Sequence, residues 1–210
     1  MQYGGAALTA TVTIHPIVTG VTYTSCTGTQ TLTGLVQGTP YSVRVLAYNK
    51  LGYGLAQLAS SPQKPMVVPG LADSVSISPA SGTSLRVVFT PPADNGGDTI
   101  DQYLVEWDLL ANFSGNAMGD GAFGSAPVNY LAGGAPFTYT ITGLTMGQSY
   151  FVRVKAHNSQ GYGTGKTSTP ASEYPRQLPT APQNVVLSVT SDSKLTVSYA
   201  TPANQGGDTV

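Results

Sequence analysis

At 210 residues the chain has room for one or two domains, with only 9% charged residues and a formal net charge of −1. That balance provides no basic stripe to neutralise phosphates or dock on anionic lipid, which excludes nucleic acid as a partner. No run of about 18 apolar residues is present that could span a membrane. The one cysteine, Cys26, cannot close an intrachain disulfide or build a zinc or iron-sulfur cluster, leaving a small packed side chain or an interchain bridge.

From Met1 to about Thr29 the sequence is rich in Thr, Gly and Val, and Thr9, Thr11 and Thr13 alternate with Ala10, Val12 and Ile14. That reads as a strand broken at Pro16 and resumed from Thr22 to Ser25, a hairpin or two short edge strands. Residues 34–54, GLVQGTPYSVRVLAYNKLGYG, follow, and Leu55 to Ser61 predicts the next strand. Pro62, Pro65 and Pro69 mark a linker. Proline fixes its own backbone angle and extends the residue before it, so this linker is short and semi-rigid.

Beyond it, Val75 and Ile77 begin a strand, and Leu85, Val87 and Phe89 alternate with Arg86 and Val88 in another that ends at Pro91 and Pro92. The loop from Ala93 to Thr99, ADNGGDT, has paired glycines suited to positive backbone angles. A third strand sets Tyr103, Val105 and Trp107 on one face and Gln102, Leu104 and Glu106 on the other. Residues 109–136 are rich in Gly and Ala and show no period. Tyr139 and Ile141 then alternate with Thr138, Thr140 and Thr142. In residues 143–163, GLTMGQSYFVRVKAHNSQGYG, Tyr150, Val152, Val154 and Ala156 alternate with Phe151, Arg153, Lys155 and His157, as in a strand with one buried face. The strand after Gly165 reads as short and Thr-rich, and Pro170, Pro175, Pro179 and Pro182 mark a second linker.

Residues 34–54 and 143–163 are copies: Leu35 matches Leu144 (144 − 35 = 109), and Tyr41, Arg44, Asn49 and Tyr53 match Tyr150, Arg153, Asn158 and Tyr162 at the same displacement. Residues 195–210 repeat 85–100 at a displacement of 110 (195 − 85). A period this long is a whole domain, not a solenoid turn. Short strands separated by turn signals predict an all-β chain of seven-stranded antiparallel β-sandwiches in tandem. The expected domains are 1–64, the later part of one sandwich; 65–174, a complete one; and 175–210, the first two strands of another. Residues 1–28 and 110–137 are expected to occupy the same place in their units, so the two ends of the chain together make one domain short of about ten residues matching Asp101 to Leu110. Those two segments differ almost entirely, which points to them for lateral or ligand contacts. Two strands alone are marginal in water, so the ends imply either a window on a longer repetitive chain or head-to-tail completion by a second copy.

Leu85-x-Val87-x-Phe89-x-Pro91-Pro92, Asp94-Asn95-Gly96-Gly97 and Ile100-x-x-Tyr103-x-Val105-Glu106-Trp107 resemble tandem fibronectin type III domains. So does Gly143-Leu144 followed by Tyr150-x-Val152-Arg153-Val154-x-Ala156-x-Asn158-x-x-Gly161. The family usually has tryptophan where Phe89 stands, a change expected to touch packing alone. The resemblance implies a tyrosine corner at Tyr150 and Tyr41, each hydroxyl bonding nearby backbone. Leu144, Phe89 and Trp107 are the other structural positions it marks.

Asp94 to Asp98 could offer calcium a few oxygens, yet only Asp98 keeps its charge in the second copy, at Asp208, and calcium wants six to eight ligands. A glycine turn is the better reading. His157 matches Tyr48 and reads as an outward strand residue; with His15 it completes the histidines, and no Ser/His/Asp arrangement, metal motif or phosphate loop is visible. Neither a catalytic residue nor a cofactor is therefore expected. Asn112-Phe113-Ser114 is an N-glycosylation sequon, and Thr138, Thr140 and Thr142 are either β-formers with a wetted face or O-linked sites. These residues suggest a structural, non-enzymatic segment of a long extracellular repeat protein or filament, its partners neighbouring copies of the repeat, with glycans possible. An adhesion or receptor ectodomain is the alternative, then the spacer of a secreted carbohydrate-active enzyme. The first twenty residues lack a signal peptide's basic region and apolar core, so secretion implies a longer protein.

Overall fold

Alternating β-branched and aromatic residues make strands in the computed structural model, which describes residues 9–15, 18–23, 31–49, 51–115, 123–129 and 134–209. These fall into two units, one of residues 1–67 with 96–98, the other of 68–95 with 99–210. The first contains β1 (Thr9–His15), β2 (Val18–Tyr23), β3 (Ser42–Asn49), β4 (Gly52–Tyr53) and β5 (Gln57–Leu58). They form one sheet in the order β2-β1-β3-β4, with β5 also on β3. Its buried centre is Tyr41, packed against Leu32, Leu35 and Val43.

The second unit contains β6 (Ser74–Ser81), β7 (Ser84–Thr90), β8 (Gln102–Asp108), β9 (Gly124–Asn129), β10 (Phe137–Ile141), β11 (Tyr150–Asn158), β12 (Gly161–Tyr162) and β13 (Lys166–Glu173). Strands β10-β7-β6 make one layer and β13-β11-β8-β9 the other, and a single parallel bridge from Thr169 to Ser76 joins them. All other pairings are antiparallel. Seven strands in two layers, with the short β12 beside β11, are a β-sandwich. The inward positions of both layers bury Leu85, Val87, Phe89, Tyr103, Val105, Ile141, Val152, Val154 and Ala156 completely. Phe89 meets Tyr103 edge-on at 5.0 Å and Phe137 at 5.7 Å, so the ring that stands in tryptophan's place is held in an aromatic cluster.

Strands β14 (Gln183–Ser191) and β15 (Lys194–Ala200) form a separate two-stranded sheet. Leu187, Leu195, Val197 and Tyr199 on it remain 54–71% exposed.

Four expectations change. Residues 109–136 contain a strand, β9, which pairs along the whole of β8. Its sequence GSAPVN is too small and too interrupted by proline to show a period. The strand after Gly165 runs for eight residues, and within 55–61 the strand is only Gln57–Leu58. The first unit also has its counterpart of β8. Strand β1 pairs with β3 from Thr9 opposite Tyr48, as β8 pairs with β11 from Gln102 opposite His157. Tyr48 and His157 are copies, so Thr9 takes the place of Gln102, and β2 that of β9. Residues 1–28 are therefore not the equivalent of 110–137, because the chain between these strands and the repeated stretch is shorter in the first unit.

Phe89→Ala should cost about 3–5 kcal/mol, the usual toll of deleting a buried aromatic ring. Trp107 is the sole tryptophan, so its emission during denaturant unfolding of the full chain reports on the second unit, and an unchanged midpoint would contradict this packing.

Candidate functional site

The tyrosine corners come from the turn before each repeated strand. Glycines at φ 73° and 74° (Gly34, Gly38) and at 76° and 74° (Gly143, Gly147) fold the chain back over the following tyrosine. Val36 N donates to Tyr41 Oη at 2.9 Å, and Thr145 N donates to Tyr150 Oη at 3.1 Å. Tyr41, Tyr150 and Leu144 are all buried. Leu144 N also donates to Thr83 O at 2.9 Å, tying the corner to the β6–β7 turn.

The outer face of the β11–β8 pair carries a cluster of three charges, Glu106, Arg153 and Lys155. Glu106 is 5% exposed although its position faces away from the core. Register explains this: Arg153 lies directly across from Glu106, with Lys155 two residues along β11. Arg153 Nε donates to Glu106 Oε2 at 2.5 Å and Lys155 Nζ lies 3.0 Å from the same oxygen. The guanidinium stacks on the Phe113 ring at 4.1 Å. Gly165 leaves room for it, since a Cβ there would lie 2.8 Å from Arg153 Cδ. In the first unit Arg44 faces Thr13 instead, and Leu46 stands where Lys155 does. The charge cluster belongs to the second unit alone, and residue-by-residue reading missed it. Its signal was a glutamate one register step from a repeated arginine.

Farther along the face, His157 Nδ1 lies 2.7 Å from Asp101 Oδ1 and the imidazole packs on Tyr162 at 4.5 Å. The Tyr162 hydroxyl donates to Gln102 Oε1. Partial burial, then the charges of Asp101 and Glu106, raise its pKa above the ordinary tyrosine value and keep that donor protonated. His157 is thus an outward strand residue within hydrogen-bonding distance of Asp101. His15 ends β1 opposite Ser42, and Cys26 lies outside the described residues.

Trp107 is half-buried against the core, and its indole lies on the backbone of β9, where a Cβ on Gly124 would come within 2.2 Å of the ring. The chain then turns over a fully buried carboxylate. Asp108 accepts from Leu110 N at 3.2 Å and from Gly115 N at 2.8 Å. This holds Phe113 at φ 55°, unusual for an aromatic residue, beneath the Arg153 guanidinium. Asn112 is exposed at the tip, its Oδ1 accepting from Ser114 N and Oγ at 3.2 and 2.8 Å. Thr138, Thr140 and Thr142 are also exposed. In the glycine loop Gly96 and Gly97 have φ 75° and 78°, and Asp98 pairs with Lys64 Nζ at 2.7 Å. Among the described residues no three His, Cys, Asp or Glu side chains form a group able to hold a metal ion.

Residues 69–173 match the family model described as Fibronectin type III domain. The chain is 37% identical over 107 residues to human ankyrin repeat and fibronectin type-III domain-containing protein 1, covering 51% of this chain and 9% of that protein. It is 28% identical over 171 residues to mouse protein sidekick-2, covering 80% of this chain and 7% of that one. A crystal structure of titin domains superposes with a TM-score of 0.47 and 20% identity, over 79% of this chain and 53% of the other. The chain spans a tenth or less of the length of these two curated relatives.

Tyr150→Phe should lose about 1 kcal/mol, because Thr145 N loses its acceptor in a part-buried turn. Glu106→Gln should lose about 1.5–3 kcal/mol, the range for hydrogen bonds to a charged group. Both are read from unfolding followed by Trp107 emission; a Glu106→Gln midpoint equal to wild type would mean the cluster is a solvated pair of no structural weight.

Proposed function

The chain belongs to the fibronectin type III domain family, and from that membership we propose that it is a structural, non-enzymatic segment of a long extracellular chain or filament of such domains. The supporting observation is which parts repeat. The same tyrosine-to-turn hydrogen bond occurs in both units, donated by Val36 in one and by Thr145 in the other. The same pairing of a counterpart of β8 on the repeated strand also recurs. The Glu106 cluster, which could distinguish one surface from another, does not. A chain that copies its scaffold and leaves its outer faces unlike behaves as a spacer or strut whose partners are its own neighbouring repeats. A surface of Thr, Ser, Gly, Asn and Gln with 9% charge stays hydrated by hydrogen bonding, which fits an extracellular setting. Fold alone does not choose a function.

A second reading, adhesion to a protein or glycan, draws support from the loop after β8, where Asn112 is exposed on a tip braced by Asp108. Loops on a rigid scaffold are where binding concentrates.

Beads coated with residues 1–210 are expected to stay dispersed and to retain no glycans from an array. Clumping or glycan capture that disappears when residues 116–122 are exchanged for a short glycine-serine turn would move the assignment to adhesion. That exchange is narrower than one of residues 110–137, which would remove β9 and the buried Phe137.

A further inference from the structure

Residues 174–180 of the second unit, YPRQLPT, are held by main-chain hydrogen bonds along their length. Gly147 N donates to Pro175 O at 3.0 Å, Gln177 N to Gly206 O at 2.9 Å and Thr180 N to Asn204 O at 2.9 Å. Pro175 is fully buried, and Tyr174 Oη donates to Asp208 Oδ2 at 3.3 Å. The loop on the other side is closed by Asn204, whose Oδ1 accepts from Gly206 N at 2.8 Å. Gly206 and Gly207 have φ of 79° and 86°. Neither has room for a side chain: a Cβ on Gly206 would lie 2.0 Å from Gln177 O, and one on Gly207 would lie 2.7 Å from Met146 Cγ and 3.0 Å from Pro175 O. Positive φ alone could be met by asparagine. The close backbone approach could not.

The first unit, which takes in residues 96–98, holds the same arrangement. Gly38 N donates to Pro65 O at 3.0 Å and Val67 N to Gly96 O at 2.9 Å. A Cβ on Gly97 would lie 2.6 Å from Gly38 N and 2.9 Å from Pro65 O. Each group stands 109 or 110 positions before its counterpart (147 − 38 = 109; 175 − 65 = 110). The side chains around it do not correspond: the ion pair Lys64–Asp98 at 2.7 Å stands where Tyr174 bonds Asp208. What is kept is the main chain.

We propose that the turn around Gly147 together with Pro175 to Gln177 is an interaction surface, and that its partner is the Gly-Gly-Asp loop of the next repeat of the same chain, docked backbone to backbone. The inference rests on the structural reading above and deepens it by naming how one repeat recognises the next. Backbone recognition gives partners to amides and carbonyls around the buried Pro175 that would otherwise be left unpaired. It also leaves the linker side chains free to vary, as MVVPG and RQLPT do at 66–70 and 176–180.

Hydrogen exchange on the 210-residue chain, read amide by amide by NMR, tests it. The amides of Gly147, Gln177 and Thr180 are expected to exchange at least tenfold more slowly than unstructured peptide, and Gly207→Val should abolish the slowing at Gly147 and Gln177. The amides of Val152 and Val154 should stay protected in the same sample. Gly143→Val is the control, because Gly143 has φ 76° but nothing within 4 Å of its missing Cβ; it should leave Gln177 and Thr180 slow. Wild-type linker amides exchanging at the unstructured rate, or losing protection equally in Gly143→Val, overturn the proposal. So does protection that falls on dilution, since the loop would then come from a second copy. The bead assay is scored independently: beads that clump while these amides stay slow would end the structural reading and leave the docking surface standing.

Discussion

Strand β11 is the constraint on which the second unit depends. It pairs with β8 along one edge and with β13 and β12 along the other. Tyr150, Val152, Val154 and Ala156 on its inner face are buried, the last three completely. Burying a side chain of valine size contributes about 1.5–3 kcal/mol, so this strand alone supplies a large part of a sandwich's usual margin of about 5–15 kcal/mol. Its start is fixed by the Tyr150 hydroxyl on Thr145 N. Its end is fixed by Asn158, which is fully buried, donates through Nδ2 to Asn95 O at 2.9 Å and accepts from Gln160 N at 2.9 Å. A one-residue slip would turn the apolar set to solvent and break both ends at once.

The second unit uses its buried carboxylates to join segments. Glu106 links two cations of β11, and Asp108 holds the turn after β8. Each carboxylate is matched to donors, which is the condition for placing charge beneath a protein surface at all. Removing one partner leaves a buried or half-buried charge unpaired, and that penalty exceeds the modest net worth of the intact pair. The cluster therefore acts as a fastening of this unit, and its absence from the first unit is consistent with a local rather than a shared role.

How far the structure could be read from sequence depended on side-chain size. Strands β7 and β11 announced themselves because large apolar residues alternate with polar ones over several positions, and the duplicated tyrosines marked both corners. Strand β9 was silent: in GSAPVN the residue at the indole contact is a glycine, so the feature that makes the contact possible erases the period. Strand β1 is legible as a strand, but its place in the repeat is not. TATVTIH shares with QYLVEWD only a valine at the fourth position, and a shorter connection shifts it out of the common displacement. The Glu106 cluster needed cross-strand register, which no single segment contains. The turn over Asp108 needed a loop conformation with Phe113 at positive φ, for which the residue types offer no cue.

Glycine carries two separate kinds of information in this chain, and only one is a matter of turns. Gly34 and Gly143 have positive φ with open space where a Cβ would be, so their requirement is conformational. Gly124 sits in a strand with no such angle, and its requirement is steric, an indole lying on bare backbone. Gly206 and Gly207 combine both, with φ near 80° and carbonyl oxygens within 2.0–3.0 Å of the missing Cβ. A substitution at the first kind costs the strain of one residue, about 1–2 kcal/mol. At the last kind it must also push two segments of main chain apart, so the effect spreads to every hydrogen bond that spans them. In this chain that difference separates a glycine that shapes one turn from a glycine that lets two segments of main chain lie against each other.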